Sequence, residues 1–218
     1  MQSRSAPPST RIRVRRHPER GVYDAASVHA ILDEAMIAHV GFIDAETPVV
    51  IPTAFGRDGD HVYLHGSAVA LWAKKMAEGG PVCVTVTLVD GLVLARSTFK
   101  HSMNYRSVVI FGKASLVTEH DEKMHGLECI VEHLVPGRSR EAREPNDKEL
   151  AATSVLKLSL AEASAKIRNG GPIDDEADFA RPVWAGVLPA AIAYGTPIPD
   201  ASVPPIVGIP DYIGEYRR

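Results

Sequence analysis

The sequence has little that ties it to the common catalytic or membrane-spanning designs. Among 218 residues there are two cysteines, Cys83 and Cys129, each inside an apolar segment and outside any CxxC spacing. They read as buried thiols of a protein in a reducing, cytoplasmic compartment, with one disulfide between them left open. No apolar run approaches the roughly 20 residues that a membrane-spanning helix needs. The opening stretch MQSRSAPPSTRIRVRRHPERG has basic residues but no apolar segment behind them, unlike a secretory signal. A net charge of −3 gives no global attraction for nucleic acid. HExxH, GxSxG, GxGxxG and GxxxxGK[ST] are all missing, so no zincin, serine-hydrolase elbow, Rossmann site or P-loop is indicated. There are nine histidines, but they are badly spaced for a metal. His61 and His65 share a strand face roughly 13 Å apart, and His125 and His133 lie about 12 Å apart along a helix. No bound metal is expected.

What is present points to a β-rich globular chain. Hydrophobic residues make up 45% of it, enough to bury a sizeable core. Residues 1–20, rich in Ser, Pro and Arg, read as a flexible arm. Its Arg11, Arg13, Arg15, Arg16 and Arg20 suit either a solvated tail or an anionic partner. Asp24 predicts the cap of a helix running to about Met36, with Val28, Ile31, Leu32, Ala35 and Met36 on one buried face. The period then changes to two. Residues 39–66 read as three short strands separated by turns at Asp44–Thr47 and Asp58-Gly59. Two more strands flank Asp90-Gly91, and Tyr105–Glu119 reads as one long strand with a bulge or kink at Gly112. A helix over Asp121–Leu134 puts Met124, Leu127, Val131 and Leu134 inward. Two last strands cover Thr153–Leu160 and Glu162–Arg168. At least seven short strands with few helices predict a mostly β fold: a closed, Greek-key-like antiparallel barrel with helices packed outside. The barrel domain spans 21–170. The proline-rich extension 171–218 is expected to wrap over a surface of the barrel or of a dimer interface.

Two stretches carry candidate chemistry. His61–Met76, HVYLHGSAVALWAKKM, runs from a strand through Gly66-Ser67 into a helical run expected to begin at Ala68 and to end in Lys74-Lys75. A small polar turn at a helix start can hold a phosphate, with a lysine reaching back over it. The other reading makes Ser67 an ordinary N-cap and leaves the lysines in solvent. Lys100–Ser107, KHSMNYRS, is dense in hydrogen-bonding groups. It is either the solvent face of an edge strand, or a place where Tyr105, Arg106 and Ser107 meet the same ligand. No nucleophile stands out, since neither cysteine sits beside a basic or glycine-rich turn.

The order of these pieces is also informative. A helix with LDE is followed by VVIPTAFGRDGDHVYLHGSA, KK, HSMNYRSVVIFGKASLV, SAKIRNGGPIDDE and RPVWAGVLP. Over residues 13–210 this resembles the pyridoxamine 5′-phosphate oxidase-like flavoproteins, in the flavin-nucleotide-binding branch that includes nitroimidazole-resistance reductases. The resemblance implies a split β-barrel, a homodimer, and FMN at the dimer interface, with FAD as the alternative. Pro52, Thr53 and Ala54 would lie along the isoalloxazine edge. His65, Gly66 and Ser67 would line the ribityl and phosphate turn, with Lys74 or Lys75 on the phosphate. Tyr105, Arg106 and Ser107 match the flavin-contacting strand, and Lys166, Arg168 and Trp184 would come from the second subunit. Ala68–Trp72 stands where the oxidases carry an Arg-Lys pair, and the oxidases' substrate-phosphate arginines are not evident at the C-terminus. The implied activity is therefore an FMN-dependent oxidoreductase of some other small molecule, with catalytic residues unassigned and His65 and Tyr105 the nearest acid–base candidates. Alternatives are a non-catalytic flavin-binding or storage protein, and the same barrel holding a deazaflavin, or a haem with His65 as axial ligand. Neither nucleic acid nor a membrane is an expected partner.

Overall fold

The computed structural model describes residue 7 and residues 9–217. A short strand, β1 (Gly21–Val22), precedes helix α1 (Ala25–Glu34). The Asp24 side chain accepts from the Ser27 backbone N–H at 2.8 Å, the predicted cap. An antiparallel meander follows: β2 (Ile37–Asp44), β3 (Thr47–Asp58) and β4 (His61–Ser67). The first turn places Ala45 and Glu46 at φ +42° and +71°, the left-handed geometry that matches strand twist in a two-residue hairpin.

Helix α2 (Leu71–Ala77) ends at Gly79, whose φ of +78° suits glycine. The chain then runs through β5 (Pro81–Leu94), β6 (Ser102–Lys113), β7 (Ser115–Leu116), α3 (His120–Leu134), α4 (Asp147–Ala151), β8 (Thr153–Ser159) and β9 (Ala163–Arg168). Strand β10 (Gly186–Pro189) and a last turn of helix, α5 (Asp211–Gly214), lie in the extension.

The sheet order is β1-β9-β6-β5-β2-β3-β4-β8-β7, with β10 added beside β5. Strand β7 follows β6 after one residue, Ala114, so the chain itself carries the far end of this order back beside β6 and the sheet curls into a barrel. Alternation decides what fills it. Val40, Val62, Leu64, Val84, Val86, Val108, Ile110, Leu156 and Leu158 all point inward and are at most 2% exposed. Complete burial of such a side chain stabilises by about 1.5–3 kcal/mol. Val28, Ile31 and Leu32 of α1 and Ala73 and Met76 of α2 extend this core. Helix α3 packs outside β3 and β4 over a second cluster of Tyr63, Val117, Ile130 and Val155.

Several expectations need correction. The stretch around Asp90-Gly91 is one strand, because β6 pairs along its whole length and the register merely slips between Val89 and Gly91. Gly112 keeps regular register opposite Val82; the strand breaks at Ala114 instead. Glycine at 112 serves packing, since a Cβ there would lie 2.7 Å from Leu158 Cδ1. The buried positions of α3 are Gly126 and Ile130, while Val131 is exposed, so the helix is rotated from its predicted face. A glycine carries no hydrophobic signal, yet Gly126 lets α3 approach Tyr63 and Val155 closely. The arm is tied down over residues 11–14: Ile12 is buried, Arg11 lies over the Phe111 ring, and Val14 N–H donates to Tyr23 Oη at 2.9 Å. The rest of that expectation, residues 1–6 and 8, lies outside the described residues. Both cysteines are free. Among the described residues no helix is long and apolar enough to cross a membrane.

Candidate functional site

Most of the candidate residues gather into two groups on the outer face of the barrel. The first is built by β3, β4 and α2. Val49, Ile51 and Phe55 turn toward the core, so alternation sends Pro52 and Ala54 outward and Thr53 inward. Across the ladder Phe55 pairs with Leu64, which brings Ala54 beside His65 one step further on. Strand β4 continues through His65, Gly66 and Ser67, opposite Val155, Ser154 and Thr153 of β8.

The turn after it is not the one the sequence suggested. Ala70, not Ser67, is the N-cap of α2, and it gives no side-chain cap. Ser67 instead accepts from Val69 N–H through Oγ at 3.4 Å. Ala68-Val69-Ala70 forms a turn ahead of the helix: Ala68 N–H donates to Ala152 O and Ala70 N–H to Ser67 O, both at 2.9 Å, and Ala70 itself is extended at ψ 132°. Gly66 is needed there because a Cβ would lie 2.4 Å from the Trp72 ring. Lys75 reaches Asp44 at 3.5 Å, while Lys74 is exposed.

His65 is the unusual member. Its Nδ1 is buried without a hydrogen-bond partner among the described residues, and burial pushes its pKa down. The ring is therefore held neutral, with a lone pair on one of its two nitrogens available as a donor to a metal centre.

The second group lies on β6 and β9. Their register pairs Tyr105 with Arg168 and Ser107 with Lys166, and Ser107 Oγ donates to Lys166 O at 3.3 Å. These four positions face outward, because the alternating Val108, Ile110, Ala163 and Ala165 fill the core. Arg106 faces the other way. Its guanidinium is held by Asp90, the extra residue of the β5 register slip, and by Glu34 of α1. Both carboxylates raise its pKa. Of the three residues Tyr105, Arg106 and Ser107, the structure thus separates the middle one from the outer face. Trp184 is two-thirds exposed and lies just before β10.

Two strands, β5 and β2, stand between the groups, a separation of about 14 Å from β6 to β3. Their outward residues Ile37, Ile43 and Val89 are about half exposed, and on β3 Val50 is 64% exposed. The two groups flank this open, partly apolar sheet face. Lys100 and His101, for which the sequence suggests no site role, line a cavity with Lys166 and Arg168, and Arg16 and Arg20 of the N-terminal segment, expected in a flexible arm, belong to the same lining. The density of arginine before residue 21 was the signal for them. Cys129 is no nucleophile, as burial lifts its thiol to about 11. Among the described residues no three His, Cys, Asp or Glu side chains converge on a metal site.

Residues 24–167 match the family model described as pyridoxamine 5′-phosphate oxidase. Among solved structures, the flavocytochrome Anf3 from Azotobacter vinelandii is 42% identical, with a TM-score of 0.90 over 96% of this chain and 98% of that one. An FAD- and haem-binding protein from Mycobacterium smegmatis is 35% identical, with a TM-score of 0.85 over 89% of this chain and 95% of its own. A proposed 5-nitroimidazole antibiotic resistance protein from Bacteroides thetaiotaomicron is 25% identical, with a TM-score of 0.57 over 67% and 86%. No curated protein matches.

Proposed function

Because the chain belongs to the pyridoxamine 5′-phosphate oxidase family, we propose that it is a flavin-dependent oxidoreductase that also carries a haem and works as a homodimer. The observation that carries this reading is the near full-length similarity, at 42% and 35% identity, to a flavocytochrome and to an FAD- and haem-binding protein. The FAD- and haem-binding relative favours FAD over the FMN that the resemblance implied.

The residues fit both groups. When bound, the flavin supplies hydride or single-electron transfer and the haem one-electron exchange. His65 is the residue that would ligate the haem iron, as its buried Nδ1 has no other partner and its imidazole is kept neutral. Pro52 and Ala54 offer a backbone edge for the isoalloxazine ring, and Tyr105, Ser107 and Lys166 offer polar groups. Both groups lie on one open sheet face too far apart for a single ring system, so a two-fold partner would bring one protomer's β3–β4 edge to the other's β6–β9 edge. The exposed apolar residues of that face, with Trp184 and Leu188 beside it, support the pairing.

The test is an absorbance spectrum of the purified protein together with its mass by light scattering. Retained flavin bands and a Soret band on a particle of twice the chain mass are the expected result. A monomer without either chromophore, before and after incubation with FAD and haem, overturns the proposal.

A further inference from the structure

A cavity of about 540 Å³ opens where the start of β6 and the end of β9 meet the N-terminal segment. This size is in the ordinary range for a small-molecule site. Arg16, Arg20, Lys100, Lys166 and Arg168 give it five cationic side chains. Lys100 is offset by Asp175 at 2.9 Å, and Arg20 approaches Glu19 only to 3.8 Å. The side chains of Arg16 and Lys166 have no ion-pair or hydrogen-bond partner among the described residues.

Arg168 is the deciding group. It is 7% exposed, and its guanidinium donates to Asn104 Oδ1, to Gly170 O at 2.8 Å and to Gly171 O at 2.9 Å. Every one of these acceptors is neutral. A buried cation bonded only to neutral groups keeps the desolvation cost of its charge, which a nearby anion would offset. Burial and the neighbouring Arg20 both work against that charge.

We propose that this cavity binds the phosphate groups of a nucleotide, with the diphosphate among Arg16, Lys166 and Arg168. A diphosphate presents several oxygens to guanidinium and ammonium donors, and its negative charge balances the surplus cations. Phe99 stands at the rim, 89% exposed, and its ring offers a face on which a base can stack. A diphosphate nucleotide has two sources: the adenylate half of the FAD itself, or a separate nucleotide that brings electrons. With FAD as the source, the site shares Lys166 with the flavin reading and rests on it; with a separate nucleotide, the same cations and cavity serve whichever cofactor the barrel holds.

The experiment is calorimetric titration of the purified protein with ADP and, separately, with inorganic pyrophosphate. Both are expected to bind, more weakly as salt rises. Arg16→Ala and Lys166→Ala, with unchanged thermal midpoints, are expected to weaken both ligands about tenfold each. Phe99→Ala is expected to weaken ADP and leave pyrophosphate unaffected. Repeating the titration on FAD-loaded and flavin-stripped protein separates the sources. ADP bound only after stripping assigns the cavity to the flavin's own diphosphate; ADP bound with FAD in place assigns it to a second nucleotide. A protein that takes up no flavin but binds ADP keeps this site and loses the flavin reading. No binding of either probe in any form, or folded variants that bind as the unaltered protein does, overturns the proposal.

Discussion

The Arg106 guanidinium donates to Asp90 through Nη2 at 2.7 Å and through Nε at 3.0 Å, a fork that exists because β5 carries one extra residue at that point. The slip turns Asp90 toward the barrel end, where Arg106 also meets Glu34 of α1. One arginine therefore ties α1 to two strands. Arg106→Ala would leave two carboxylates facing each other beneath the helix. The expected loss is about 1–3 kcal/mol, read as a drop of several degrees in the thermal midpoint. Flavin content at low temperature should not change, because this side chain faces away from the outer surface. Loss of flavin from a fully folded variant would contradict that assignment.

The haem reading makes His65 separable from the flavin. His65→Ala should abolish the Soret band, or weaken it severely, while flavin bands persist in the same preparation. A variant that keeps its haem spectrum would exclude this imidazole as the iron ligand.

Burial of His65 also sets a pH dependence for the haem-free protein. Its pKa is lowered from an ordinary 6.5, so the unfolded chain binds more protons than the folded one on the acid side of that value. Its contribution to stability is present above the ordinary value and is lost as pH falls through it. Between about pH 7.5 and 5.5 the native protein should lose more stability than His65→Gln, measured by denaturant unfolding at each pH. Parallel losses in the two proteins would mean that the ring titrates freely.

Two glycines fix how closely layers approach. A Cβ on Gly56 would lie 2.6 Å from the Cys129 carbonyl oxygen, and one on Gly66 would lie 2.4 Å from the Trp72 ring. Each alanine substitution should cost about 1–3 kcal/mol. Only the second conflict is with a side chain, so Trp72→Leu should recover part of the loss at Gly66 and none at Gly56. A double-mutant cycle on thermal or urea midpoints measures this, and equal rescue at both sites would refute the packing account.

The barrel was legible in the sequence because period-two alternation and turn residues are local signals. His65, Ser107 and Lys166 fell where the strand pattern put them. What stayed hidden depends on partners distant in the chain. The Asp90 slip is set by β6 and β10, which pair to either side of it, not by the Asp-Gly turn signal. The helix begins at Leu71, not Ala68, where Ala152, 84 positions away, holds Ala68 through its N–H and Ala70 stays extended at ψ 132°. The rotation of α3 turns on a glycine, whose role is the absence of a side chain. The cavity beside Arg168 needs the N-terminal segment, the stretch from Phe99 to Ser102 and Ile173 to meet at β9, and no spacing rule encodes that meeting.

Closure through Ala114 has a consequence for synthesis of the chain. Strands β2 to β7 are all complete by residue 116, but the two strands that seal the ring, β8 and β9, begin only at Thr153 and Ala163. Until they emerge, β4, β6 and β7 each present an unpaired edge to solvent or to another nascent chain. The intervening segment, with the solvent-facing charges of α3 and the polar stretch after it, sits between exposure and sealing. Delay there lengthens the period in which strand exchange between growing chains competes with barrel closure.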